Sequence, residues 1–152
     1  MRTFALILVL ALTAPAAAIA RPGDRGDGTF AVKNGEGQIQ VTATGTVLGK
    51  IDEGSVAVTD LTPGGGDLTV LGYDKRPVVK NGVTTYRGDN MRFRFAGGVY
   101  VVTVIGSGVN ISAVGRGTVS GQGISDGLFS ADGVKLQPAV AGFYAASFGK
   151  QQ

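Results

Sequence analysis

The chain has 152 residues and a formal net charge of +3, and it contains no His, Cys or Trp. That excludes Ser-His-Asp and Cys-His nucleophile arrangements, imidazole bases and imidazole or thiolate metal ligands, and any disulfide framework. The positive excess is small and no basic tract is interleaved with aromatics, so nucleic acid is not an expected partner.

The first twenty residues have the three parts of a secretory signal in order. Arg2 is the positive start, Phe4 to Leu12 is an uninterrupted apolar run, and Ala18-Ile19-Ala20 is a small-residue cleavage site, with Ala16-Ala17-Ala18 as the second choice. The run is shorter than the roughly 20 residues that span a bilayer, so a cleaved peptide rather than a transmembrane anchor is expected. Cleavage before Arg21 leaves 132 residues, enough for one domain. The expected division is a signal peptide at 1–20, a flexible segment at 21–28, an all-β domain at 29–148 and a tail at 149–152. The expected location is outside the cytoplasm, released or held in the periplasm or envelope. All 26 glycines lie after residue 20 without a collagen-like period, which calls for many tight turns or bends.

From Thr29 onward the signal is alternation at period two. Asn34-Gly35 reads as a hairpin turn joining Thr29–Lys33 to the next strand. From Ile39 to Ile51 the odd positions are apolar or small and the even ones mostly polar. Gly45 and Gly49 on the apolar side imply a bend or the close approach of another strand. Ser55–Asp60 is a further strand with Val56 and Val58 on one face, Pro63–Gly66 a loop, and Leu68–Tyr73 a strand. Asn81-Gly82 is a second hairpin signal. In Asn90–Phe95, Met91, Phe93 and Phe95 point inward and Arg92 and Arg94 outward. Ala96-Gly97-Gly98 is expected to turn the chain. Val99–Ile105, apolar on both faces, is expected to be a central, fully covered strand. Val109, Ile111, Ala113, Gly115 and Val119 share one parity, and Val134–Gln137 and Phe143–Phe148 close the domain. No segment has helical spacing.

Ile39-Gln-Val-Thr-Ala-Thr-Gly is echoed by Val109-Asn-Ile-Ser-Ala-Val-Gly. Two bent, glycine-rich strands suit one antiparallel β-sandwich or partly closed β-barrel in which a strand turns a corner. Two copies some 70 residues apart argue against a short β-solenoid. The stretches GEGQIQVTATGTVLGKI (35–51), Gly54-x-Val-x-Val-x-Asp60, Met91-Arg-Phe-Arg-Phe95 and Gly108–Val119 resemble a family of small, uncharacterised exported proteins of high-GC bacteria. The resemblance implies one all-β domain behind a signal peptide and carries over no activity or ligand.

The candidate sites are few. Arg92, Arg94 and Arg116, with Arg87 beside them, are read as a basic stripe able to contact anionic envelope polymer, polysaccharide or lipid headgroups. The plainer reading is a solvated strand face. Arg25-Gly26-Asp27 and Arg87-Gly88-Asp89 spell an integrin-binding tripeptide but are ordinary turn chemistry. Asp24, Asp27, Asp67, Asp126 and Asp132 lack the spacing of known calcium loops. Asp52 and Glu53 are adjacent carboxylates with nothing to hold them at a set separation. The expected function is a non-catalytic exported domain acting by contact, with no cofactor. The alternatives are a carbohydrate- or anionic-polymer-binding module using Tyr73, Tyr86, Tyr100 and the arginines, and, less favoured, a carboxylate-based hydrolase.

Overall fold

A computed structural model describes residues 26–122, 127–137 and 142–150. The signal-peptide assignment therefore lies outside the described residues. Seven strands form one antiparallel sheet, and no helix occurs among the described residues. They are β1 (Gly28–Asp60), β2 (Asp67–Leu71), β3 (Val78–Lys80), β4 (Val83–Gln122), β5 (Leu128–Ala131), β6 (Val134–Lys135) and β7 (Phe143–Phe148). The sheet does not close into a barrel.

β1 and β4 carry the architecture, and each flanks the other on both sides. Val41 pairs with Val102 on one side and Val119 on the other, while Val102 pairs with Val41 and Val58. The two strands therefore wind around each other's turns as an antiparallel double coil. Gln38 shows the pitch: it faces Ile105 and also Gln122, seventeen residues further along β4. Turns of the coil lie in two layers. Residues 28–35, 109–115, 45–51 and 91–98 form one, edged by β5, β6 and β2. Residues 116–122, 38–44, 99–105, 54–60 and 83–88 form the other, edged by β7 and β3.

The chain passes between layers at two transverse rows of glycine. Gly28, Gly115, Gly45 and Gly98 are successive cross-strand partners, and so are Gly37, Gly106, Gly54 and Gly88. Gly45, Gly115 and Gly54 have φ of 135°, 139° and 144°, and Gly37 has 117°. L side chains rarely adopt this backbone, and the strands also approach closely there. A Cβ on Gly45 would run into the Val114 carbonyl oxygen, and one on Gly115 into that of Thr44. Along each strand these glycines recur every seventeen residues, or eighteen between Gly88 and Gly106. The solenoid-like winding set aside on the 70-residue echo is thus present on a shorter period. The echo itself marks one crease, because its two copies end on the paired Gly45 and Gly115.

The layers face each other across a single core. It includes Phe30, Ile39, Val41, Val47, Phe93, Phe95, Val102, Ile111 and Phe148, all less than a tenth exposed. Rings bridge the layers: Phe30 lies 6.0 Å from Phe148, and Phe129 stacks on Tyr144 at 4.3 Å. No polar or charged residue is buried among those described, as expected where the coil pairs its own backbone groups.

Three local expectations are corrected. Asn34-Gly35 makes no hairpin: Val32 pairs with Ile111 and Gly37 with Gly106, so β1 runs on beside β4. An Asn-Gly hairpin turn of type I′ needs two successive positive φ values, and only Asn34 has one (52°). Asn81 and Gly82 both do (52° and 77°) and close the β3–β4 hairpin as expected. Ala96-Gly97-Gly98 does not turn the chain either. Thr46 pairs with Ala96 and Gly45 with Gly98, leaving Gly97 as a bulge inside β4. A bulge adds one residue and inverts the facing of the strand beyond it. Hence Val99–Ile105 is central but not covered on both sides. Tyr100, Val102 and Val104 are buried, Val101 is partly exposed and Ile105 is 49% exposed. Val102→Ala is expected to cost about 2 kcal/mol and Val101→Ala under about 1 kcal/mol. Urea denaturation of the two variants checks the inversion, and equal midpoints would contradict it.

Candidate functional site

The outward side of the first layer collects cations from strands far apart in sequence. Arg92 and Arg94 point outward from β4, as their alternation with Met91, Phe93 and Phe95 requires. Beside Arg92 lies Lys50 of β1 and, beyond it, Asn110. The Asn110 side-chain oxygen accepts the Asn34 N–H at 3.2 Å. One strand further out is Lys33, paired with Leu128 of β5. The parallel row runs from Arg94 through Leu48, Ser112 and Ala31 to Ser130, and ends at Lys135 of β6.

Ion pairing sorts these cations. Arg94 is held by Asp67 at 2.6 Å and Lys50 by Asp52 at 3.2 Å. Arg92, Lys33 and Lys135 are exposed and have no carboxylate within ion-pair distance among the described residues. They surround two adjoining shallow hollows. One, about 590 Å³, has Ala31, Leu48, Gly49 and Ser112 in its floor and Lys33 and Arg92 at its sides. The other, about 220 Å³, lies between Lys33, Leu128 and Lys135. Gly49 lends bare backbone to the floor of the first hollow. The Phe93 ring occupies the place of its Cβ from the core side.

Arg116 does not join this face. It lies beyond the Gly45–Gly115 crease, separated from Arg94 by β1, with its Nε 3.7 Å from Asp27. There it borders a separate hollow of about 400 Å³ with Thr42, Thr44, Thr118 and Lys150. Arg87 sits on the other crease among Glu53, Asp74 and Asp89. The three arginines singled out from sequence thus divide: Arg92 is open on the basic face, Arg94 is neutralised there, and Arg116 is elsewhere. Lys33, Lys50 and Lys135 escaped sequence reasoning because nothing local places β1, β4 and β6 side by side.

The remaining candidates take structural places. Tyr100 is fully buried and its hydroxyl donates to the Ala96 carbonyl at 3.0 Å, so it offers no sugar platform. Burial, reinforced by nearby Asp60 and Asp67, pushes its ionisation above the ordinary phenol range. Tyr73 and Tyr86 do pair, with ring centroids 5.4 Å apart, and Tyr73 is exposed. Asp132 accepts from the Thr29 N–H at 2.8 Å and the Gly149 N–H at 3.1 Å, which clips the start of β1 to the end of β7. Gly88 of the second Arg-Gly-Asp lies in a crease rather than on a projecting loop. Arg25, Asp24 and Asp126 lie outside the described residues. Glu53 faces Asp89 across the strands, while Asp52 holds Lys50. Among the described residues, no group of three acidic side chains is placed to hold a metal ion, and no helix is long and apolar enough to cross a membrane.

Compared with protein-family models, curated proteins and solved structures, the chain gives no match. The fold is an all-β antiparallel sheet coiled into two layers, with a basic outer face among the described residues.

Proposed function

We propose that this is an exported, non-catalytic β-domain, akin to the small glycine-rich exported proteins it resembles, that binds an anionic polymer of the envelope or medium. The observation that carries this reading is the set of Lys33, Arg92 and Lys135 around one shallow trough, none neutralised by a neighbouring carboxylate among the described residues. Exposed cations of one sign along a trough raise the local concentration of a polyanion and steer it in. The trough is open, so the interaction is multivalent contact rather than enclosure of a small molecule.

Co-sedimentation with purified cell envelopes tests this. Wild-type protein is expected to bind at low ionic strength and to release steeply toward physiological salt, because exposed charge contacts are screened within about 8–10 Å. The Lys33→Gln/Arg92→Gln/Lys135→Gln variant should stay unbound throughout, while Arg116→Gln should behave as wild type. Equal binding by the triple variant and wild type at every salt concentration would make the face a solubilising surface only.

A further inference from the structure

The arrangement of charge and apolar surface in the trough narrows the class of polymer. This step rests on the anionic-polymer reading above. Lys33, Arg92 and Lys135 do not form a compact cluster. Arg92 and Lys33 are three strands apart, through Lys50 and Asn110, which is about 14 Å at the usual strand spacing. Lys135 is two strands beyond Lys33 and one register step along, about 12 Å. The charges of Arg92, Lys33 and Lys135 therefore fall at intervals of about 12–14 Å.

Between Arg92 and Lys33 stand Lys50, held by Asp52, and Asn110, while the adjoining row offers apolar or small surface. Leu48 is 43% exposed and Leu128 is 54% exposed, with Ala31 and Gly49 between. A polyphosphate or a densely charged polymer would lay charge on this floor and leave its apolar area unused. A charge there would also lose hydration without a partner. A compact lipid headgroup needs converging donors, which cations this far apart do not provide.

We infer that the trough takes an extended acidic polysaccharide in which a carboxylate-bearing sugar alternates with an uncharged one. The carboxylates would meet Arg92, Lys33 and Lys135 in turn. The C–H faces of the intervening sugars would rest on Leu48, Ala31 and Leu128. The chain would run across the strands, from β4 toward β6.

Binding measured at low salt against four probes tests this. The probes are hyaluronate, which alternates charged and uncharged sugars; polygalacturonate, charged at every sugar; polyphosphate; and phosphatidylglycerol vesicles. Hyaluronate is expected to bind tightest at equal charge concentration. Lys33→Gln, Arg92→Gln and Lys135→Gln should each weaken it about two- to fivefold, the range for single exposed ion pairs. Lys33→Gln/Ser112→Lys keeps the net charge but moves the cation onto the floor, and should bind hyaluronate no better than Lys33→Gln alone. Unchanged thermal melting would establish that these surface variants are folded. Polygalacturonate, polyphosphate or vesicles binding as tightly as hyaluronate, or recovery in the relocated variant, would overturn the spacing inference and leave the broader reading standing. Failure to bind any of the four would overturn both.

Discussion

Gly45→Ala is expected to lower unfolding free energy by about 3–5 kcal/mol, combining backbone strain at positive φ with overpacking against a neighbouring strand. Gly45 holds φ at 135°, and its missing Cβ is the space taken by the Val114 carbonyl oxygen. That oxygen belongs to the backbone of β4, so the clash cannot be relieved by a rotamer change. The strands must separate at the crease where β1 and β4 pass from one layer to the other. A loss of this size is a large part of the roughly 5–15 kcal/mol that holds a typical domain. Gly82→Ala is the control. Gly82 also has positive φ, at 77°, but a Cβ there meets nothing within 4 Å. It should lose only the conformational part, about 1–2 kcal/mol. Urea denaturation of both variants separates the two effects, and similar losses would show that the creases tolerate a side chain.

Phe93→Ala is expected to cost about 3–5 kcal/mol. The ring is 4% exposed, stacks on Phe95 at a centroid distance of 5.3 Å, and fills the space over Gly49. Arg92→Ala, one residue away on the opposite face, should change stability by under about 0.5 kcal/mol. Gly49 is coupled to the same ring. A Cβ at Gly49 collides with the Phe93 ring, so Gly49→Ala alone should be destabilising. In the Phe93→Ala background the same methyl enters the vacated space. The double variant should therefore lose less than the sum of the single losses, a coupling that a double-mutant cycle measures directly. Strict additivity would mean that the ring does not rest on Gly49 in solution.

The candidate face shows where sequence reasoning stopped. Arg92 and Arg94 are two residues apart on one strand, so their common facing follows from strand geometry. Whether each is free depends on neighbours brought by other strands: Asp67 of β2 takes Arg94, and no carboxylate reaches Arg92 among the described residues. Lys33 joins Arg92 through the winding of β1 around β4, and Lys135 through the pairing of β5 with β1 and with β6, which no local pattern specifies. Arg116 shares the outward facing but not the layer, because Gly115 sends the chain across the crease before it.

Alternation alone determined the all-β class, the inward set from Ile39 to Ile51, and the facing of Met91, Phe93 and Phe95. These depend on a period of two along one strand, which any single stretch displays. The Asn81-Gly82 hairpin was equally local, since its turn type is set by two residues. Tertiary structure decided what happens at the glycines. Asn34-Gly35 and Ala96–Gly98 have turn composition, yet each becomes an irregularity in a strand that continues, because β4 and β1 supply partners on both sides of it. Composition tells that the backbone can bend at a glycine. Whether it reverses, bulges or turns a corner depends on which strand waits beyond, and here each crease needs four glycines from four passes of two strands to coincide in one row.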